Sequence, residues 1–422
     1  MSEPNIRRAV LANGVRLATE RMPHVRSVAI GIWLTRGSRH EPSEAAGIAH
    51  FVEHMLFKGT DTRTAEAIAQ QVDSIGGQLD AFTSKEYAGY YIKVLDEHLD
   101  VAVDILSDLV LHPLFAADDI EREKKVILEE IKMVEDTPDD LVHEMFAEGF
   151  WGDHPLGRPI LGTPASVNGL NRDTLAKYFG TTYVSPNFVI VAVGNIEHDR
   201  VQQLVEKALE GAPRVGPDAE TTAPVTSPIV QVRQKELEQS HVCFGTAALP
   251  QHHPDRYAGY VLNTTLGGSM SSRLFQNVRE KRGLAYAVFS GLSAYQDSGA
   301  LSIYAGCAND AVAELIDVVV AEIRQMKRGG IEEAELRRAK DHLKGSLMLG
   351  LESTSSRMSH LARQEMYRDR NDGLDQMLAA IEKVTPSDVQ RLADQFFASG
   401  SLGCTVLGNV NGLKVTREQL AL

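Results

Sequence analysis

The 422-residue chain runs through one strand-and-helix plan twice, and no other feature constrains its fold as much. In the first pass, apolar alternation around Asn13-Gly14 predicts a hairpin over 8–22 with Asn-Gly as a two-residue turn. A strand follows over 27–35, then a helix opened by Pro42-Ser43, with Ser43 as N-cap and Gly59 just past its end. Next come a helix over 64–75, strands over 78–83 and 87–94, and helices over 96–111, 118–136 and 139–149. The pass closes with a helix over 171–182, an apolar strand over 188–193 and a helix over 197–209. The second pass has strands over 229–235 and 241–248, helices over 254–266 and 271–281, and strands over 286–293 and 298–306. Helices over 309–327, 331–350, 354–369, 373–382 and 386–397 lead to a last strand over 402–408. Between the passes, 213–228 is rich in Pro, Thr and Ala, as linkers are. The run from Asp119 to Lys125 lines up with Glu335 to Asp341, which places Glu123 on Ala339 and Glu130 on Ser346. The chain is also too long for one core. The expected fold is α+β: two duplicated domains, 1–212 and 229–422, each a mixed, mainly antiparallel sheet packed with helices.

Charge and cysteine usage narrow the setting. A formal net charge of −14 argues against nucleic acid and favours cationic ligands. Cys243, Cys307 and Cys404 are odd in number and have no C-x-x-C spacing, so no disulfide framework is expected and a reducing compartment is. Met1 to Ala9 has no apolar run, and no stretch approaches a transmembrane length. The expectation is a cytoplasmic protein without a membrane partner.

One pentapeptide carries chemistry. On a helix, the ends of His50-Phe51-Val52-Glu53-His54 are i, i+4 neighbours on one face with Glu53 beside them. Two such imidazoles form half of a tetrahedral zinc site, and catalytic zinc takes a third protein ligand and water. A neighbouring carboxylate that does not ligate can serve as general base. With 14 His in the chain, about 0.04 chance occurrences of this pattern are expected. The competing explanation is a surface helix whose histidines pair with carboxylates.

The 118–136 helix bears on the third ligand. Its apolar stripe is Ile120, Ile127, Ile131 and Val134, and Glu123 and Glu130 complete it, seven apart and nearly eclipsed. Carboxylates inside an apolar stripe are costly unless a cation compensates them. The opposite face already carries Glu121, Lys124, Glu129 and Lys132. His154, in the loop after the 139–149 helix, is expected to be structural.

These residues resemble the pitrilysin/insulinase family of zinc peptidases, in the half-length branch that contains mitochondrial processing peptidase and its bacterial relatives. The carriers are His50 to His54 and, later, Glu123-Lys-Lys-Val-Ile-Leu-Glu-Glu130. The resemblance implies His50, His54 and Glu130 as ligands of one Zn²⁺ per chain, Glu53 as base, and Glu123 as a carboxylate behind the ligands. Ser271 to Phe275 and Arg279 to Tyr286 are similar to the family's Arg/Tyr element, which implies that Arg279 and Tyr286 hold the substrate carbonyl. Asp80-Ala81-Phe82-Thr83 resembles the edge strand that pairs with substrate backbone, although Asp80 stands where family members commonly have Asn. The resemblance further implies half of a clamshell, an extended peptide substrate and a homodimer, and the net charge of −14 favours substrate stretches with Arg or Lys. A zinc-bearing or non-catalytic subunit of a heteromeric processing complex is the rival; the intact Glu53 and the Arg279/Tyr286 pair argue against it.

Overall fold

Residues 6–215, 221–367 and 373–422 are described by the computed structural model. Part of the predicted 213–228 linker and the end of the predicted 354–369 helix lie outside them. The elements run β1 (Ile6–Val10), β2 (Arg16–Arg21), β3 (Ser27–Leu34), α1 (Ile48–Leu56), α2 (Ala65–Ser74), β4 (Gln78–Thr83), β5 (Ala88–Leu95), α3 (Leu99–Leu111), α4 (Ala117–Asp136) and α5 (Pro138–Trp151). Then come α6 (Pro164–Gly169), α7 (Arg172–Thr182), β6 (Phe188–Gly194), α8 (His198–Ala208), β7 (Val230–Gln234), β8 (Gln239–Ala247), α9 (Arg256–Leu266), β9 (Ala285–Ala294) and β10 (Gly299–Ala308). The chain ends with α10 (Val312–Gly329), α11 (Glu333–Gly350), α12 (Thr354–Tyr367), α13 (Leu374–Lys383), α14 (Pro386–Phe396) and β11 (Gly403–Gly408).

Two compact units form. One gathers Met1–Lys132, Arg158–Thr221 and Leu349–Asn371; the other gathers Met133–Gly157, Thr222–Met348 and Asp372–Leu422. The first sheet has the order β1-β2-β6-β3-β5-β4 and the second β7-β11-β8-β10-β9. In the first, β2 and β6 run parallel and the other pairs antiparallel. In the second, β7 and β11 run parallel and the rest antiparallel. Five strands therefore recur in the same order and directions, with β1 as an addition, which makes the fold a duplicated α+β domain.

Both faces of each sheet are covered. In the first unit, Ile30, Ile32 and Ile190 face a core that includes α1 and α3. The opposite face, with Ala29, Trp33, Val189 and Val191, is covered by Met358, Leu361 and Ala362 of α12. In the second unit, Val242 and Phe244 join the main core, while α5 lays Val142, Met145 and Phe146 against Cys243, Tyr304 and Leu407. Strands buried on both sides read as continuous apolar runs, as β3 and β6 do. Cys243, Cys307 and Cys404 are buried and free. Among the described residues no helix is long and apolar enough to cross a membrane.

Three local expectations are corrected. The first hairpin does not close on two residues: Val10 pairs with Arg16 and Leu11 N donates to the Val15 carbonyl at 2.8 Å, so the turn takes three residues, 12–14. Leu11 and Val15 are buried there, so core packing widens the turn. The motif helix starts later than Ser43. Residues 43–45 make a single 3₁₀ turn, and α1 begins at Ile48 after Gly47, whose φ is +92°. A Cβ at Gly47 would sit 2.6 Å from the Leu161 carbonyl oxygen, so the position needs glycine in both conformation and space. The cap is Glu41: its Oε2 accepts from Gly47 N and its Oε1 from Ala49 N, each at 2.8 Å. The expected 271–281 helix contains a π-helical stretch, Phe275–Glu280.

Burial pushes the Glu41 carboxyl up to about 7, against those two N–H bonds and the charges of Lys85 and Arg158. The folded state thus holds this proton more tightly than the ordinary value of 4.5. The stability that Glu41 contributes is whole below that value and is lost as pH rises through about 7. Glu41→Gln turns an amide toward one of the backbone donors. Urea unfolding is expected to show it about 1–2 kcal/mol less stable than wild type at low pH, with the gap narrowing as pH rises from 4.5 to about 7 and level beyond.

Candidate metal centre

Helix α1 buries Ile48, Phe51, Val52, Met55 and Leu56. That leaves His50, Glu53 and His54 half-buried on the remaining face, with the two imidazole centroids 4.6 Å apart. Helix α4 answers from its own buried stripe, on which Glu123 lies with Ile120 and Ile127. His50 Nε2 stands 3.7 Å from Glu130 Oε2, and His54 Nε2 stands 3.7 Å from Glu130 Oε1. One donor atom from each of the three residues falls within 4.8 Å of the others. Tetrahedral zinc with bonds of about 2 Å separates its ligand atoms by about 3.3 Å.

The donor set fits such an ion on further grounds. Glu130 Oε2 is sealed from solvent without a hydrogen bond, and so is His50 Nδ1. An unpartnered buried carboxylate oxygen is costly unless a cation meets it. Burial, reinforced by the neighbouring His54, lowers His50 to about 4, so it is a neutral imidazole with a lone pair to give at neutral pH. His54 is oriented from behind. Its Nδ1–H donates to Glu123 Oε2 at 3.0 Å, which directs the Nε2 lone pair toward Glu130. The other Glu123 oxygen is held by Lys58 Nζ at 2.8 Å.

Glu53 projects beside this cluster. Its Oε2 accepts from the Thr83 hydroxyl at 2.5 Å. Burial raises its carboxyl above the usual range, and the Thr83 hydrogen bond opposes that rise. Thr83 ends β4, which among the described residues pairs with β5 alone and so leaves one edge open. Along β4, Asp80 is turned back on its own sheet, accepting from Tyr91 Oη at 3.0 Å and from Ala81 N at 2.8 Å. Ala81 is half-buried, and the Phe82 ring packs edge-on against Tyr87.

Arg279 and Tyr286 lie in the second unit and meet there. The guanidinium sits 4.5 Å above the Tyr286 ring and 4.8 Å above that of Phe275. Arg279 rises from the π-helical stretch, a distortion common at functional sites. Tyr286 is 80% exposed at the start of β9, although a large aromatic there could have been buried. His154 accepts from Leu156 N and contacts the Thr222 carbonyl through its other nitrogen, as a loop-tying histidine does.

Sequence reasoning missed the Glu41 cap, the Lys58 contact and the Thr83 side chain. Only Lys58 left a signal, since it follows His54 by one helical turn. Glu123→Ala removes the His54 anchor and strands Lys58. Chelator competition is expected to show zinc held about 10–100-fold more weakly, with the fold retained by circular dichroism.

The family model described as insulinase (peptidase family M16) matches residues 16–164, and that described as the peptidase M16 inactive domain matches residues 169–343. An uncharacterized zinc protease of Bacillus subtilis, YmxG, is 45% identical over 392 residues, covering 93% of this chain and 96% of that protein. An uncharacterized zinc protease of Mycobacterium leprae is 41% identical over 420 residues, covering 98% of this chain and 94% of that one. Among solved structures, a protease from Helicobacter pylori has a TM-score of 0.89 at 23% identity, covering 96% of this chain and 99% of its own. A peptidase M16 inactive domain from Pseudomonas fluorescens has a TM-score of 0.91 at 20% identity, covering 97% and 100%. The structural likeness shows a shared fold, and the sequence matches carry the assignment: the chain belongs to the pitrilysin/insulinase (M16) family of peptidases, in its half-length branch.

Proposed function

We propose that this chain is a zinc-dependent endopeptidase that hydrolyses unfolded or extended peptides. The observation that carries the reading is the convergence of His50, His54 and Glu130 with Glu53 at their side, in a chain 45% identical to a protein named a zinc protease. His50, His54 and Glu130 would hold one zinc ion. When bound, it would supply Lewis acidity, polarising the scissile carbonyl and easing deprotonation of the attacking water. Glu53 takes that proton and returns it to the leaving amine. Glu123 keeps His54 in the ligating tautomer. Arg279 and Tyr286 donate hydrogen bonds to the carbonyl oxygen as it gathers negative charge. The substrate runs along β4, where the free main-chain groups of Asp80, Ala81, Phe82 and Thr83 can add it as a further strand. The net charge of −14 favours peptides with Arg or Lys near the cut.

The same reading takes 1–212 as the zinc-bearing domain, 213–228 as linker and 229–422 as the duplicated domain with the Arg/Tyr element. Three unpaired buried cysteines support a cytoplasmic setting. The assembly is a homodimer in which Arg279 and Tyr286 of one copy serve the zinc site of the other.

Glu53→Gln is expected to keep stoichiometric zinc and lose about 10²–10⁴-fold of peptidase activity on an unstructured Arg-containing peptide. Zinc without activity in wild type as well would sink the enzyme reading. Co-refolding Glu53→Gln with Arg279→Ala, each inactive alone, is expected to restore about a quarter of the sites, since only mixed dimers pair intact partners. No recovery would place all the groups of a site in a single copy.

A further inference from the structure

We propose that the Thr83 side chain is a positioning residue for Glu53, so that the strand offered to substrate also sets the base. The inference rests on the functional reading above and deepens it. Thr83 Oγ1 donates to Glu53 Oε2 at 2.5 Å. Among the described residues Glu53 accepts no other side-chain or backbone hydrogen bond, and its Oε1 is not among the oxygens sealed from solvent without a partner. The hydroxyl therefore selects one carboxylate rotamer, engages Oε2 and leaves Oε1 to receive the proton. A half-buried glutamate without that bond would share its population among several rotamers.

The hydroxyl is itself held in place. Past Thr83 the chain turns tightly, Ser84 N bonding the Tyr87 carbonyl at 2.8 Å. This turn is fastened to the segment before α1: Ser38 N donates to the Ser84 carbonyl at 3.0 Å, and Arg39 N to the Lys85 carbonyl at 2.7 Å. A Cβ on Gly37 would come within 2.2 Å of the Ser84 oxygen, so the two backbones are as close as glycine permits. Arg39 makes a buried ion pair with Glu86 at 2.6 Å, and Tyr367 Oη of α12 donates to the same carboxylate at 2.7 Å. Two residues after Arg39, Glu41 caps α1. The end of β4 and the start of α1 are thus anchored to one short segment, and the distance from Thr83 to Glu53 is built into it. A peptide paired along the free edge of β4 would stiffen the strand that aims the base, coupling productive binding to proton transfer.

The test compares Thr83→Val, which keeps volume and removes the donor, with Thr83→Ser, which keeps the donor. With zinc content and thermal midpoint unchanged, Thr83→Val is expected to lower kcat about tenfold or more while KM stays within about twofold. Thr83→Ser is expected to recover most of the lost kcat. A second readout uses zinc-free protein. The infrared carboxylate band assigned to Glu53 by its disappearance in Glu53→Gln should shift in Thr83→Val and stay in Thr83→Ser. Wild-type kcat with an unshifted band in Thr83→Val would overturn the proposal, as would Thr83→Ser being as impaired as Thr83→Val. If wild type cleaves no peptide, the functional reading fails, and the infrared comparison still decides whether Thr83 holds Glu53.

Discussion

Two carboxylates on the buried stripe of α4 are the constraint from which the rest of the first unit follows. Glu123 is nearly inaccessible, and Glu130 carries a sealed oxygen without a partner. Leaving Glu123 charged and uncompensated costs several kcal/mol; Glu130, with its side chain 33% exposed, is penalised less but has one oxygen that solvent does not reach. Lys58 and the Nδ1–H of His54 answer Glu123. Among the described residues Glu130 is answered only by the Nε2 edges of two imidazoles, of which His50 is too strongly depressed to bring a proton at neutral pH. The missing positive charge is the one a divalent cation brings. The second unit shows the converse. Ala339 stands buried where Glu123 would be, no histidine lies on α9, and the charge buried on α11, Lys340, is met by the Glu382 carbonyl, so no buried carboxylate there calls for a cation. The two histidines and the two carboxylates are all absent from the matching positions of the second unit.

A site of this kind needs its two helices held in register, and the architecture does so mainly through main-chain contacts. The N-terminus of α1 is fixed by a carboxylate from outside the helix and by a glycine pressed against the Leu161 carbonyl. Sheets covered on both faces give rigid platforms. The substrate contacts proposed above fall at the periphery, on the open edge of β4 and on Tyr286, an aromatic left exposed beside a π-helical turn.

How much of this was legible in the sequence depended on whether the signal was periodic or contextual. His50, Glu53 and His54 could be placed together because helical spacing converts directly into a shared face. Glu123 and Glu130 stood out because a carboxylate breaks an apolar stripe, and the strand succession carried the duplication. The hairpin turn was misjudged because the burial of Leu11 and Val15, a tertiary effect, outweighed the local preference of Asn-Gly. The start of α1 was misjudged because its cap comes from Glu41, while Ser43 fitted the local rule. The sequence placed helices over 139–149 and 354–369, but not the sheet each would cover, which depends on contacts far apart in the chain. The Thr83 hydroxyl was hidden because the strand was read for its main chain alone.

The central claim is that His50, His54 and Glu130 together bind one metal ion. Anomalous X-ray diffraction at the zinc edge, on crystals of the protein purified without chelators, tests it most directly. The account predicts a single strong peak per chain within bonding distance of His50, His54 and Glu130, absent from crystals of His54→Ala. No peak, or a peak elsewhere that survives His54→Ala, would contradict it.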